Sequence, residues 1–221
     1  MWEPEKALSR RTYVFAPRPP TAMTLDPTLI SFRGLTEDDL PIMHRWLNTE
    51  HVARWYRVRG VPKPTLDWVT VRYMPRIRGD DPTRAFVIMR GQRPIGYIQG
   101  YLIADNPEYA AHVQVGDGAA GVDMFIGEPD VVHRGLGAHI VRCFVDEIVF
   151  REFGASCCVI GPEPENRIAI RAYEKAGFRH LKTIHTPGED AEYEYLMRID
   201  REEVIDISSD TWASSLEGSL L

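Results

Sequence analysis

Gly121-Val122-Asp123-Met124-Phe125-Ile126-Gly127 reads as a strand carrying one carboxylate in an apolar run. His133-Arg134-Gly135-Leu136-Gly137-Ala138, a few residues on, reads as a glycine-rich loop opening a helix. Strand, loop and helix in that order make an anion cradle. The glycines let the backbone turn tightly, and the N–H groups of the first helical turn point at whatever sits there. A carboxylate beside such a cradle suggests an enzyme that holds a phosphate-bearing cosubstrate next to a cationic one. Arg-Gly-x-Gly also serves as a plain helix cap, so the order of the elements around it carries the weight.

Downstream, a helix over 134–153 buries Leu136, Ile140, Val141, Phe144, Ile148 and Val149 at helical spacing, and Gly154 stops it. Residues 155–160 form a short apolar strand, 167–176 a helix ended by Gly177, and 179–186 with 191–199 a closing hairpin. Upstream, 84–89 and 94–103 are strands joined by the turn Arg90-Gly91-Gln92-Arg93. Period two in the second strand lines up Tyr97, Gln99 and Tyr101 on one face. Residues 104–118 read as a polar loop. Pro64-Thr65 begins a helix with Leu66, Val69 and Tyr73 on one side, and the charge run from Arg72 to Arg78 reads as its solvated end. Thr36 and Asp39 have capping-box spacing ahead of Leu40, Met43 and Leu47, while Pro41 pushes the helix start later. Residues 29–33 are an edge strand. The order β-α-α-β-β-β-α-β-α-β-β predicts one α/β layered domain over 28–200. It is preceded by a flexible extension at 1–27, with an alternative start at Met23, and followed by a tail at 201–221.

Composition narrows the partners. A formal net charge of −6 argues against nucleic acid and suits a cationic small molecule. The three cysteines, Cys143, Cys157 and Cys158, form no disulfide framework and fit a reduced, cytoplasmic compartment. The scattered histidines give no metal-ligand spacing. No apolar run approaches the ~20 residues of a membrane span. Glu3 and Glu5 speak against a transit peptide at the N-terminus.

The order of elements, with the glycine loop after the central strand, resembles the GNAT acetyltransferase superfamily. A set of motifs is similar to the aminoglycoside 6'-N-acetyltransferases: Trp46-Leu47-Asn48, Trp55-Tyr56, Pro64-Thr65-Leu66, Ile95-Gly96-Tyr97-Ile98-Gln99, Gly121-Val122-Asp123, Gly127-Glu128-Pro129, Arg134-Gly135-Leu136-Gly137, and the run from Asn166 through Tyr173 to Phe178. The likeness covers nearly all of 29–199. It implies a GNAT fold, a central mixed twisted sheet flanked by helices. It also implies acetyl-CoA as cosubstrate, no metal, and transfer of acetyl to the 6'-amine of an aminoglycoside, a resistance reaction. Val132 stands where the pyrophosphate motif usually opens with Gln or Arg. Gly161 stands where such relatives commonly carry aspartate, so one anionic contact is missing or comes from Glu163 or Glu165. The 104–118 segment offers Glu108, Tyr109, His112 and Asp117.

The resemblance assigns roles, and each residue keeps a plainer structural alternative. Asp123 binds the substrate ammonium and accepts its proton, directly or through water; otherwise it is a strand-end carboxylate satisfied by a neighbouring N–H. Because an ordinary aspartate titrates near ~3.9, the catalytic role requires desolvation or acts mainly by positioning. Tyr173 protonates the departing thiolate, or is a core aromatic. Asn166 contacts the arm of CoA, or caps its helix. Backbone at Phe125 and Ile126 pairs with the pantetheine and offers an N–H to the developing oxyanion. The N–H groups of Arg134, Gly135, Leu136, Gly137 and Ala138 hold the pyrophosphate. Trp55 and Tyr56 stack on a sugar or belong to the core. Gln99 donates to substrate hydroxyls, and Asp117 and Glu163 add negative charge. Cys157 and Cys158 are buried strand residues. Two other readings stay open. One is an N-acyltransferase for a siderophore lysine, whose relatives tend to carry His in place of Asp123, or for a polyamine. The other is a silent CoA-binding module, against which the joint presence of Asp123 and Tyr173 argues.

Overall fold

The computed structural model describes residues 29–56, 63–116, 118–186 and 192–202. The expected extension at 1–27, nearly all of the expected tail, and Asp117 lie outside them. Strands β1 (Ile30–Gly34), β2 (Arg84–Arg90), β3 (Arg93–Leu102), β4 (Ala119–Ile126), β5 (Cys157–Ile160), β6 (Arg179–Thr186) and β7 (Glu192–Asp200) form a sheet in the order β1-β2-β3-β4-β5-β7-β6. Every neighbouring pair is antiparallel except β4 with β5. The sheet is therefore mixed, as expected.

The parallel pair is the decisive feature. β4 and β5 are in register only from Ala119 opposite Cys157 to Gly121 opposite Val159. β4 then runs on to Ile126, while β5 ends at Ile160. Beyond Gly121 the strands part, and the sheet opens into a gap flanked by β4 backbone.

Helices cover both faces. Helix α5 (Leu136–Phe144) continues without a break through a π-helical segment, Val145–Glu152, and Gly154 ends it at φ +69°. With α6 (Arg167–Lys175) it buries Ile140, Val141, Phe144, Ile170 and Tyr173 against Ile88, Ile98 and Val122. A fully buried side chain of this size contributes roughly 1.5–3 kcal/mol, so this face supplies a large share of the core. On the other face α1 (Leu40–Leu47), the short α2 (Glu50–Ala53) and α3 (Leu66–Arg78) cover Val87, Tyr97 and Phe125.

The expected capping box is real. Asp39 Oδ2 accepts from the Thr36 N–H at 2.9 Å and from the Thr36 hydroxyl at 2.7 Å. Pro41 falls in the first turn of α1, where its missing N–H costs no helical bond. One expectation fails. Segment 104–118 is not all loop, because Pro107–Val113 forms helix α4. Pro107 begins it and Val113 anchors it in a small cluster with Ile103, Leu196 and Ile184. A single fully buried residue on so short a helix leaves no periodic stripe to read.

The Gly127-Glu128-Pro129 and Trp46-Leu47-Asn48 motifs prove to be one joint. A side chain on Gly127 would overlap the Trp46 indole. Glu128 Oε1 accepts from Trp46 Nε1 at 2.8 Å and from Arg45. Those donors hold the Glu128 carboxyl below the usual range against its burial. The joint locks α1 onto the end of β4, next to the gap.

Candidate active site

A cleft of about 1590 Å³ runs along the parted strands and reaches both faces of the sheet. The β3–β4 register builds one wall. Tyr97 pairs with Phe125, Gln99 with Asp123, and Tyr101 with Gly121, so Tyr97, Gln99, Tyr101 and Asp123 share the α1/α3 face. The line-up expected within β3 is present. A side chain on Gly121 would overlap the Tyr101 ring.

Asp123 is mid-strand and half-buried, and its Oδ2 accepts from Gln99 Nε2 at 2.7 Å. The partner is a side chain rather than the neighbouring N–H of the plainer reading. Gln99 Oε1 accepts from Arg76 Nη1 at 2.7 Å and from the Tyr97 hydroxyl at 2.7 Å. A cation and a phenol thus claim the amide oxygen, which forces the amide nitrogen toward the carboxylate. One Gln99 amide N–H is thereby spent on the Asp123 carboxylate, and its expected contact with substrate hydroxyls would have to come from the other. Burial raises the Asp123 pKa; Gln99, Arg76 and Tyr101, which all favour the charge, do not cancel that rise. The desolvation demanded of a catalytic aspartate is met.

Arg76 corrects a second expectation. The run from Arg72 to Arg78 is not simply a solvated helix end, because the Arg76 side chain is only 6% exposed. The signal lay in the spacing: Val69, Tyr73 and Arg76 fall on one side of α3. Burial opposes its charge, but the phenols of Tyr97, Tyr56 and Tyr73 outweigh that and raise its pKa.

Beside Asp123 the wall continues through Tyr101 and Tyr109, whose ring centroids are 6.3 Å apart, to Glu194. The Tyr109 hydroxyl donates to Glu194 Oε2 at 3.0 Å. Tyr109 comes from α4 and Glu194 from β7. Tyr56 packs edge-on against Phe125 at 4.9 Å and belongs largely to the aromatic core, while Trp55 lies under the Arg54 guanidinium at 4.8 Å; both line the cleft. Glu163 lines it as well.

The far wall lies across the sheet. Tyr173 is 8% exposed, near Phe178 in the core yet lining the cleft. Burial, helped by the charge of Asp123, keeps its phenol above the usual range, so it stays protonated at neutral pH. Asn166 caps α6, its side-chain oxygen accepting from the Ala169 N–H at 3.2 Å. Gly135 caps α5 at φ +80°, a conformation that side chains resist. A Cβ on Gly137 would meet only the Ala172 methyl at 3.5 Å, which is ordinary contact. Val132, His133, Gly135, Leu136, Gly137 and Ala138 line the cleft, whereas the Arg134 side chain is exposed.

The strand backbone needs one correction. The Phe125 carbonyl faces Gly96 of β3, and the Gly127 N–H donates to Ile95 at 2.8 Å. Strand parity then turns the polar edges of Met124 and Ile126, not Phe125, toward the gap. The Ile126 carbonyl takes His51 Nε2 at 3.0 Å, leaving the Ile126 N–H aimed at the gap. Among the described residues no group of His, Cys, Asp and Glu is placed to hold a metal ion.

Comparison with known proteins agrees with this geometry. Residues 36–186 match the acetyltransferase (GNAT) domain family. An aminoglycoside N(6')-acetyltransferase type 1 of Klebsiella pneumoniae is 31% identical over 164 residues, 74% of this chain and 81% of that protein. A protein of the same name from Serratia marcescens matches equally. A crystal structure of the aminoglycoside acetyltransferase AAC(6')-Ib with coenzyme A and kanamycin superposes with a TM-score of 0.71 at 28% identity, covering 81% of this chain and 99% of that one.

Proposed function

The chain belongs to the GNAT acetyltransferases and, within them, to the aminoglycoside N(6')-acetyltransferases; from that premise we propose that it moves the acetyl group of acetyl-CoA to the 6'-amine of aminoglycoside antibiotics. The observation that carries this reading is the oriented, desolvated carboxylate of Asp123 at the edge of the β4–β5 gap. Around it lies a cleft whose polar groups separate by role across the sheet.

Acetyl-CoA supplies an acetyl group on a thioester, and the residues present fit it. The first turn of α5 offers N–H groups behind two glycines, one at positive φ and the other in ordinary contact with Ala172. Asn166 and the α6 start adjoin them. The Met124 and Ile126 edges line the gap where an extended arm would pair, and the Ile126 N–H is the donor available to charge growing on the carbonyl oxygen.

Asp123 draws a substrate ammonium into the cleft and takes one proton from it, directly or through water. The raised pKa brings its basicity closer to the task. Gln99 and Arg76 keep its Oδ2 in one place meanwhile. The freed amine forms the new N–C bond, the C–S bond breaks, the Tyr173 hydroxyl gives its proton to the leaving sulfur, and the second proton of the nitrogen passes through water to restore the phenol. No cysteine has a nucleophile's setting: Cys157 and Cys158 are buried, as expected, and burial raises the thiol pKa of these two and of Cys143.

A cationic amino sugar as the partner, rather than nucleic acid or membrane, follows from the net charge of −6 and the carboxylates of the cleft. A cytoplasmic location, with 28–200 as the catalytic unit, belongs to the same reading. The test is turnover of acetyl-CoA, followed by thiol release, with kanamycin and tobramycin against an analogue carrying a 6'-hydroxyl. The amines are expected to be acetylated and the hydroxyl analogue left unmodified at that position. Turnover of lysine or a polyamine, with none on any 6'-amino aminoglycoside, overturns the substrate assignment.

A further inference from the structure

Gly161 follows β5 at the lip of the gap, and a side chain there would overlap the Glu194 carboxylate. The space that Gly161 leaves is thus occupied by a negative charge from another strand. Glu194 is half-buried in β7, on the same side as Leu196, which belongs to the cluster of Tyr101 and Tyr109. That is the Asp123 face of the sheet. Adjacent backbone fixes the approach: the Tyr195 N–H donates to the Pro162 carbonyl at 2.8 Å and ties β7 to the segment after Gly161. Tyr109 then holds Glu194 Oε2 at 3.0 Å. Glu194 and Asp123 stand at the two ends of one aromatic step, Tyr109 beside Tyr101, and both line the cleft.

We propose that Glu194 is a specificity-determining carboxylate that receives a second ammonium group of the acceptor while Asp123 receives the amine to be acetylated. This rests on the reading of the protein as an acetyltransferase of polycationic amino sugars. Two carboxylates separated by a tyrosine pair select acceptors with at least two amines at a set distance, since a monoamine gains nothing from Glu194. The same geometry explains the glycine: a side chain at 161 and the Glu194 carboxylate compete for one volume. The expected substitutes for the anionic contact, Glu163 and Glu165, also line the cleft, but neither occupies that volume.

The experiment uses the full chain with kanamycin as the polyamine probe and acetyl-CoA as donor, and compares the parent with Glu194→Gln, Gly161→Ala and the double variant. Glu194→Gln is expected to raise KM for kanamycin about tenfold, equivalent to the loss of about 1.4 kcal/mol, with a smaller change in kcat and none in the acetyl-CoA affinity. It is also expected to flatten the dependence of KM on ionic strength, which a packing defect would not do. Gly161→Ala is expected to reproduce the loss by displacing the carboxylate, and the double variant to be no worse than either single one. An unchanged kanamycin KM in Glu194→Gln, with the parent active, overturns the assignment of Glu194 and leaves the acetyltransferase reading standing. Additive losses in the double variant overturn the shared-volume argument. A parent inactive on every 6'-amino aminoglycoside overturns the reading itself and this inference with it.

Discussion

The two walls of the cleft are built from different materials. The wall we assign to the acceptor is made of titratable side chains, with Asp123, Arg76 and Glu194 each fixed by another side chain. The donor wall is made of backbone: a helix start behind glycines, the open edge of β4, and a single phenol at Tyr173. Side-chain charge recognises a cation whose amines vary in position, while fixed N–H groups suit an anion of constant shape. Changes on the acceptor wall should therefore alter substrate kinetics and spare CoA, and changes on the donor wall the reverse.

The sharpest test of that division is Asp123→Asn. Shape and the Gln99 contact survive, while charge and basicity are lost. kcat/KM for kanamycin should fall about 100-fold or more, with acetyl-CoA affinity by calorimetry unchanged. A comparable loss of acetyl-CoA affinity would show that the walls are not separable.

Legibility followed the same division. The donor wall lies in short local runs, so the glycine loop, the helix after it and the Asn166 cap were all readable from spacing. The acceptor wall joins α3, β3, α4, β4 and β7, segments that only the sheet order brings together. Asp123 was visible because it is a lone carboxylate in an apolar strand. Arg76 was hidden in a charge run and Glu194 in a hairpin whose pairing with the Gly161 segment no local pattern encodes; Tyr109 was named on the 104–118 segment, without the helix that presents it. Phe125 was misjudged by one residue, the distance over which strand polarity reverses.

Tyr173→Phe comes next in size. On the proposed mechanism its hydroxyl protonates the leaving sulfur, so kcat and kcat/KM should fall together, by about tenfold or more, with kanamycin and acetyl-CoA binding retained. Survival of kcat within about a factor of two would reduce the residue to a core aromatic beside Phe178 and leave the donor wall with backbone alone.

Gly137→Val tests that backbone. A Cβ at 137 would make ordinary contact with the Ala172 methyl at 3.5 Å. A loss from crowding the ligand shows as acetyl-CoA affinity weakened about tenfold with the melting temperature close to the parent's, whereas a packing defect lowers the melting temperature as well. Gly135→Val is the control, since its positive φ predicts a fall in stability instead. Unchanged acetyl-CoA affinity in a folded Gly137→Val protein would move the pyrophosphate away from this loop.

The smallest effect concerns the stability cost of the acceptor wall. Asp123 has its pKa raised by burial despite the groups that favour its charge. Its carboxyl therefore ionises at higher pH in the folded chain than in the unfolded one. Its contribution to stability is fully present below the unfolded value and is lost as pH rises through the folded one. At pH 7 the ionised carboxylate is a net burden that Asp123→Asn removes. The inactive variant should melt about 1–3 °C above the parent at pH 7, and the difference should shrink as pH is lowered toward 4. A variant that melts lower at pH 7, by a margin that narrows in acid, would mean that ionised Asp123 stabilises the fold through Arg76 and Gln99. The carboxylate would then be a structural partner of Arg76, and the charge on this wall would exist for the fold before it exists for the substrate.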